Sequence, residues 1–289
     1  MKIYYYVHTG HRIGLDRFRR AVAIINSLGD VNITLLCSDF RIAQVAKDFG
    51  IKSSVGVDVV RNIPQIALHG DKLIFDSEEA NPIMLDDMRN YFSTFIRISD
   101  HENDKKEEKE FLISPYLHGE GICNAYAIHD TFFQEEEMKN IKISFFFGDD
   151  DYEKDIEKYV SLIEDLNADL QLGFYYFLDY EESLKKRFPN HYEFDAYEEM
   201  IKKSEILLTA SPQAVLESLA CGGKPIYFQR EDYSTNFNEL FKNLNVPVVE
   251  NLDVNQLSQV LQTISKQNYV KPTQYGNKIA NFIKETLAL

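Results

Sequence analysis

Ser204-Glu-Ile-Leu-Leu-Thr-Ala-Ser-Pro-Gln-Ala-Val-Leu-Glu-Ser-Leu-Ala-Cys-Gly-Gly-Lys-Pro-Ile-Tyr-Phe-Gln229 reads as strand, turn, helix, turn, strand. The apolar run 206–208 meets the small residues Thr209, Ala210 and Ser211. Pro212 then stands where a helix's first turn tolerates a missing N–H, and Val215, Leu216, Leu219 and Ala220 repeat at helical spacing. Gly222 and Gly223 stop the helix, because glycine accepts the left-handed conformation of a C-cap, and Pro225 opens the apolar run 226–228. The unit is β-α-β. Ser211 is its expected N-cap, with the helix's first N–H groups pointing past the carboxyl end of the strand, where open α/β sheets place ligands and an anion is well held. Glu217, six residues on, is placed to accept hydrogen bonds from a sugar or ribose diol; a capped structural helix with an exposed Glu is the alternative.

Length and charge narrow the field. The 289 residues, 44% hydrophobic, are enough for two domains, expected over residues 1–135 and 136–289. A net charge of −15 argues against nucleic acid as a partner, since no basic stripe is available to release counterions, and the densest charge run, 102–110, is mostly acidic. Cys37, Cys123 and Cys221 lack a CxxC spacing, which argues against a zinc site and a disulfide framework and fits a reducing compartment. The opening residues are too polar for a signal peptide and no apolar run approaches the ~20 residues of a membrane span, so a cytoplasmic protein without a transmembrane segment is expected.

Taken in order, strand 3–7 runs into the glycine-containing loop His8-Thr-Gly-His-Arg-Ile-Gly14 and a helical stripe at Phe18, Val22, Ile25 and Leu28. Strands at 32–36, 72–75 and 94–98 alternate with helices at 41–49 and 83–91, which predicts a parallel sheet covered on both faces. The run 102–110 is expected to be a solvated loop. Strand 142–147 restarts the pattern, with a turn at Gly148-Asp-Asp-Asp151 and a helix facing inward through Ile156, Val160 and Ile163. The three acids suit the positive end of that helix. Segments 171–177, 180–187, 191–194 and 196–203 continue the alternation, and helices at 236–244, 254–265 and 275–287 with a strand at 246–249 finish it.

Three motifs, in order, resemble the UDP-sugar hydrolase of pseudaminic acid biosynthesis and its spore-coat relatives, which are similar to the lipid II-forming GlcNAc transferase. The family's I-G-x-G-H-x-x-R aligns without a gap on Ile13-Gly-Leu-Asp-Arg-Phe-Arg-Arg20; its F-G-G-x-D resembles Phe147-Gly-Asp-Asp-Asp151. Its donor-site W-E-x-x-A-x-G-x-P resembles Leu216-Glu-Ser-Leu-Ala-Cys-Gly-Gly-Lys-Pro225 with one extra residue. The resemblance implies the GT-B architecture, two Rossmann-like β/α/β domains facing across a cleft, acting on a nucleotide sugar, UDP-linked in the family, in surface or flagellar glycan synthesis. It also implies no cofactor and no metal, because helix N-termini and side chains stabilise the leaving diphosphate.

The departures bear on chemistry. The family's histidine, the base that activates water, falls on Arg17, and its neighbouring glycine on Asp16. A guanidinium keeps its proton, so Arg17 is no general base and is assigned instead to binding a diphosphate or sugar carboxylate. Asp16 and His11 are the candidate catalytic groups. Gly14, Arg17, Gly148, Ser211, Gln213, Glu217 and Asn236 are the candidate nucleotide-sugar ligands. The readings that follow are a glycosyltransferase with a sugar or protein acceptor, a UDP-sugar hydrolase, or a catalytically inactive nucleotide-sugar-binding protein.

Overall fold

In a computed structural model that describes residues 1–79, 81–134, 137–188, 190–250 and 253–289, every described strand is parallel to its neighbours, and the described strands fall into two sheets. Contacts divide the chain into two compact units: Met1–Gly10, Arg17–Asp130 and Gln274–Leu289 form the first, His11–Asp16 and Thr131–Thr273 the second. The boundary expected at 135/136 lies outside the described residues.

The strands of the first unit are β1 (Ile3–Val7), β2 (Ile33–Cys37), β3 (Ser54–Gly56), β4 (Lys72–Asp76), β5 (Thr94–Ile98), β6 (Phe111–Ser114) and β7 (Ile122–Asn124), in the spatial order β3-β2-β1-β4-β5-β6-β7. Those of the second are β8 (Ile141–Phe146), β9 (Asp169–Gln171), β10 (His191–Tyr192), β11 (Ser204–Thr209), β12 (Lys224–Gln229) and β13 (Val248–Glu250), ordered β10-β9-β8-β11-β12-β13. The helices are α1 (Asp16–Ser27), α2 (Phe40–Val45), α3 (Pro82–Tyr91), α4 (Ile156–Asp165), α5 (Leu178–Arg187), α6 (Tyr197–Lys203), α7 (Pro212–Ala220), α8 (Asn238–Asn243), α9 (Val254–Thr263) and α10 (Gly276–Thr286).

Each sheet reverses its order once, between β1 and β4 and between β8 and β11, the pattern of a doubly wound Rossmann fold. Central strands read as continuous apolar runs because both faces are covered: all five residues of β1 are buried. In the second unit Ile156, Val160 and Ile163 of α4 pack with Phe145, Leu208 and Phe228 of the sheet. Helix α10 belongs to the first unit, where Phe282 meets Phe111 edge-on, Tyr275 meets Tyr126, and Lys278 Nζ donates to the Asn124 carbonyl at 2.6 Å.

Two expected segments differ. The strand read from Gln171 onward ends at Gln171, and the following residues fold back over β8: Tyr176 donates its hydroxyl proton to the Gly148 carbonyl and the Phe174 N–H reaches Asp149 Oδ1. The acidic run 102–110 is a loop without helix or strand, but an anchored one, because Glu110 is buried against Arg97 at 3.0 Å and Arg89 at 3.4 Å.

Arg20, shared with the resembled motif, is buried and ties the ends of β4 and β5 together. Its guanidinium donates to Asp76 at 3.0 and 2.5 Å and to Asp100 at 2.6 and 3.1 Å. Burial raises the Asp100 carboxyl, but Arg20's charge and hydrogen bonds outweigh it and hold the group below the usual carboxylate range. Replacing Arg20 with Met strands two carboxylates away from water, so the free energy of unfolding in urea is expected to fall by about 3–5 kcal/mol; Arg20→Lys, lacking the planar fork, is expected to recover only part of it.

Candidate functional site

The reversal between β8 and β11 leaves their carboxyl ends open, and Gly148 and Ser211 stand there. Ser211 caps α7, its Oγ accepting the Ala214 N–H at 3.1 Å, and Pro212 fills the first turn. Past the other end of α7, Gly222 takes φ +80°, the left-handed turn read from the sequence. The cap is already engaged with an anion. Ser211 Oγ donates to Asp16 Oδ1 at 2.6 Å and the Gln213 N–H donates to Asp16 Oδ2 at 3.3 Å, so the helix's N-terminal end holds a carboxylate.

Glu217 continues this network inward. It is only 1% exposed, and its oxygens accept from Tyr197 Oη at 2.6 Å and Gln213 Nε2 at 2.9 Å. The side chain is thus buried rather than exposed, and each of its oxygens already has a partner within the second unit. Beside Thr209, in register on β12, Tyr227 is fully buried and its hydroxyl makes no hydrogen bond, while Asp16, Arg230 and Asp232 act on it electrostatically.

A second cluster surrounds the two glycines. Both have positive φ, +75° at Gly14 and +130° at Gly148, and a Cβ added to either would lie 3.0 or 3.3 Å from Asp150 Oδ1. Asp150 is buried with Asp149 and Asp151. Asp151 does the helix-start work expected of these acids, accepting the Asp155 and Ile156 N–H groups at 2.7 and 3.1 Å. Asp150 instead accepts from Tyr233 Oη and faces Arg230, whose Nη2 lies 3.3 Å from Asp150 Oδ2 and 2.6 Å from Asp232 Oδ2. The Arg230 guanidinium is sandwiched over Phe147 at 4.3 Å and Tyr233 at 4.1 Å. Sequence reasoning missed Arg230 and Tyr233; the available signal was a cation placed directly after the apolar strand that ends at Gln229.

The remaining candidates have other partners. His11 is packed among aromatic rings, stacked on Phe177 at 6.0 Å and tilted against Tyr175 at 5.1 Å. Arg17 in the first unit binds Glu78 at 2.6 Å and lies 3.8 Å from Asp76. Asn236 precedes α8, its N–H on Ser234 Oγ at 3.2 Å. The three cysteines are buried free thiols, and burial pushes all three above their ordinary range, Cys37 to about 12, so none is an activated thiolate. Among the described residues no cluster of His, Cys, Asp and Glu with metal-ligand geometry occurs, and no helix is long and apolar enough to cross a membrane.

Two parallel sheets of this strand order, with a capped helix N-terminus at the second sheet's reversal, define an α/β protein of the GT-B fold. The solved structures it resembles along nearly its whole length include UDP-GlcNAc 2-epimerase from Methanocaldococcus jannaschii in complex with UDP-GlcNAc and UDP (TM-score 0.63, 10% identity, 99% of this chain and 100% of that one). They also include Anabaena HepE in complex with UDP and glucose (0.60, 12%, 100% and 99%) and MurG of Acinetobacter baumannii (0.54, 10%, 97% and 95%). At these identities the likeness is one of fold. Neither a protein-family model nor a curated protein matches the sequence.

Asp150 sets a pH dependence. Burial raises its carboxyl from 3.8 to about 7 against the opposing pull of Arg230 and Tyr233. A carboxyl raised on folding gives stability that is complete below the unfolded value and is lost as the pH climbs through about 7, at up to about 1.4 kcal/mol per pH unit. Asp150→Asn removes this slope. Urea unfolding of both proteins across that window is expected to show the difference in stability moving in the variant's favour as pH rises; parallel curves would contradict the assignment.

Proposed function

We propose that this chain binds a nucleoside-diphosphate sugar, UDP-linked, in its second unit and transfers the sugar to an acceptor taken by the first, in the cytoplasm and in the synthesis of a surface or flagellar glycan. The observation that carries the reading is the carboxylate of Asp16 held by Ser211 Oγ and the Gln213 N–H: two donors that already donate to an internal oxyanion support a diphosphate site there. A diphosphate that takes over both donors releases Asp16. The freed carboxylate then accepts the proton of the acceptor hydroxyl as its oxygen bonds to the anomeric carbon and the bond to the diphosphate breaks. Ser211 and the first turn of α7 stabilise the leaving diphosphate. The GT-B fold, shared with solved structures in complex with UDP, UDP-glucose and UDP-GlcNAc, supports the ligand class.

A second reading, nucleotide-sugar binding without turnover, is favoured by Arg17, which stands in the resembled family's base position and cannot take a proton. Asp16→Asn separates the two. Removing the internal competitor's charge is expected to tighten UDP binding by roughly ten-fold in calorimetry, while acceptor-dependent sugar transfer, followed by UDP release, is expected to fall by at least about a hundred-fold. Tightened binding with no turnover by the native protein on any acceptor would establish the non-catalytic reading. UDP binding by neither protein would overturn both.

A further inference from the structure

A pocket of about 420 Å³ opens in the first unit at the carboxyl ends of β4 and β5, within the size range of small-molecule sites and on the sheet edge where such folds bind ligands. Arg17, Arg97, Asp76, Glu78, Asp100 and Asp104 supply its charges. Both arginines are committed: Arg17 to Glu78 at 2.6 Å, Arg97 to Asp104 and to the buried Glu110 at 3.0 Å. Asp76 and Asp100 are bridged from beneath by Arg20. Four carboxylates and two arginines line the pocket, and with Arg20 bridging Asp76 and Asp100 from beneath, these ionised side chains sum to −1. Each lining arginine already faces a carboxylate, so an incoming phosphate or carboxylate has to compete with an internal anion for it, whereas carboxylate oxygens accept from more than one donor each.

We propose that this pocket binds a hydroxylated ligand bearing a protonated primary amine, of the amino-sugar class, and rejects phosphorylated or carboxylated ones. The ammonium takes the excess negative charge, with Glu78, at 49% side-chain exposure the most open of the four carboxylates, as its principal partner, and the ring hydroxyls donate to the remaining carboxylate oxygens. An anion entering the same space loses its hydration beside like charges without gaining a free cation.

Calorimetric or NMR titration of the full chain at about pH 7 with glucosamine, N-acetylglucosamine and glucose 6-phosphate tests this, with no nucleotide present so that the outcome is independent of the transferase reading. Glucosamine is expected to bind roughly ten-fold more tightly than its N-acetyl derivative, which has the same ring and no charge, and glucose 6-phosphate not at all. Glu78→Gln should narrow the preference for the amine, and Asn103→Asp, adding a carboxylate at an exposed lining position, should widen it. Binding of none of the three sugars, equal or tighter binding of the acetylated or phosphorylated one, or a preference unmoved by both variants would overturn the proposal.

Discussion

A carboxylate taken out of water must be met by donors, and this acidic chain withdraws many of them. Asp76 and Asp100 share Arg20; Asp104 and Glu110 share Arg97; Asp150 has Arg230 and Tyr233; Asp151 has Tyr180 and two backbone N–H groups. Glu217 has Tyr197 and Gln213, and Asp16 has Ser211 and the first turn of α7. Apart from Glu110, at the amino end of β6, these networks gather at the carboxyl ends of the strands, the same places that the sheet order leaves open. The architecture and the electrostatics therefore converge on one design. Loops at those ends are fixed by buried ions, and what a ligand meets there depends on which donors and acceptors the networks leave unfilled.

The two units solve that problem differently. In the first, arginines are fewer than the carboxylates around them, and the surplus is negative. In the second, a helix N-terminus contributes donors without contributing a formal charge, so Ser211 and the Gln213 N–H can hold an oxyanion in a protein whose overall charge would repel one. Tyr227, buried with an unbonded hydroxyl next to this turn, adds a further polar group to the same region.

What was legible in the sequence followed from local chemistry. Continuous apolar runs gave the central strands, Ser211, Pro212 and Gly222 gave the limits of α7, and the repeated alternation gave two Rossmann-like halves. Features set by distant partners were not legible. Glu217 looks like any second-turn glutamate until Tyr197, twenty residues earlier, is folded against it. The short strands β3 and β7 carry too few residues for periodicity to register. Asp149, Asp150 and Asp151 read as one helix-start cluster, yet only Asp151 caps α4, because Arg230, eighty residues on, claims Asp150. Of the candidate site residues, the ligands Ser211 and Gln213 and the catalytic candidate Asp16 come together directly; Gly14 and Gly148 meet through Asp150, which spacing alone does not reveal.

Helix α10 closes the first unit although it is encoded at the far end of the chain. Phe111 and Tyr126 depend on it for cover, and Lys72 Nζ donates to the Leu287 carbonyl just beyond it. A gene fragment cut after Asp130 thus encodes the first sheet without one of its covering helices, and a fragment beginning at Thr131 carries an orphan helix whose apolar stripe, Ile279, Ala280 and Ile283, has nothing to bury against. Isolating either half as a recombinant domain requires re-routing the chain: Gln274–Leu289 spliced to the first half, and the second ended at Thr273 and supplied with His11–Asp16.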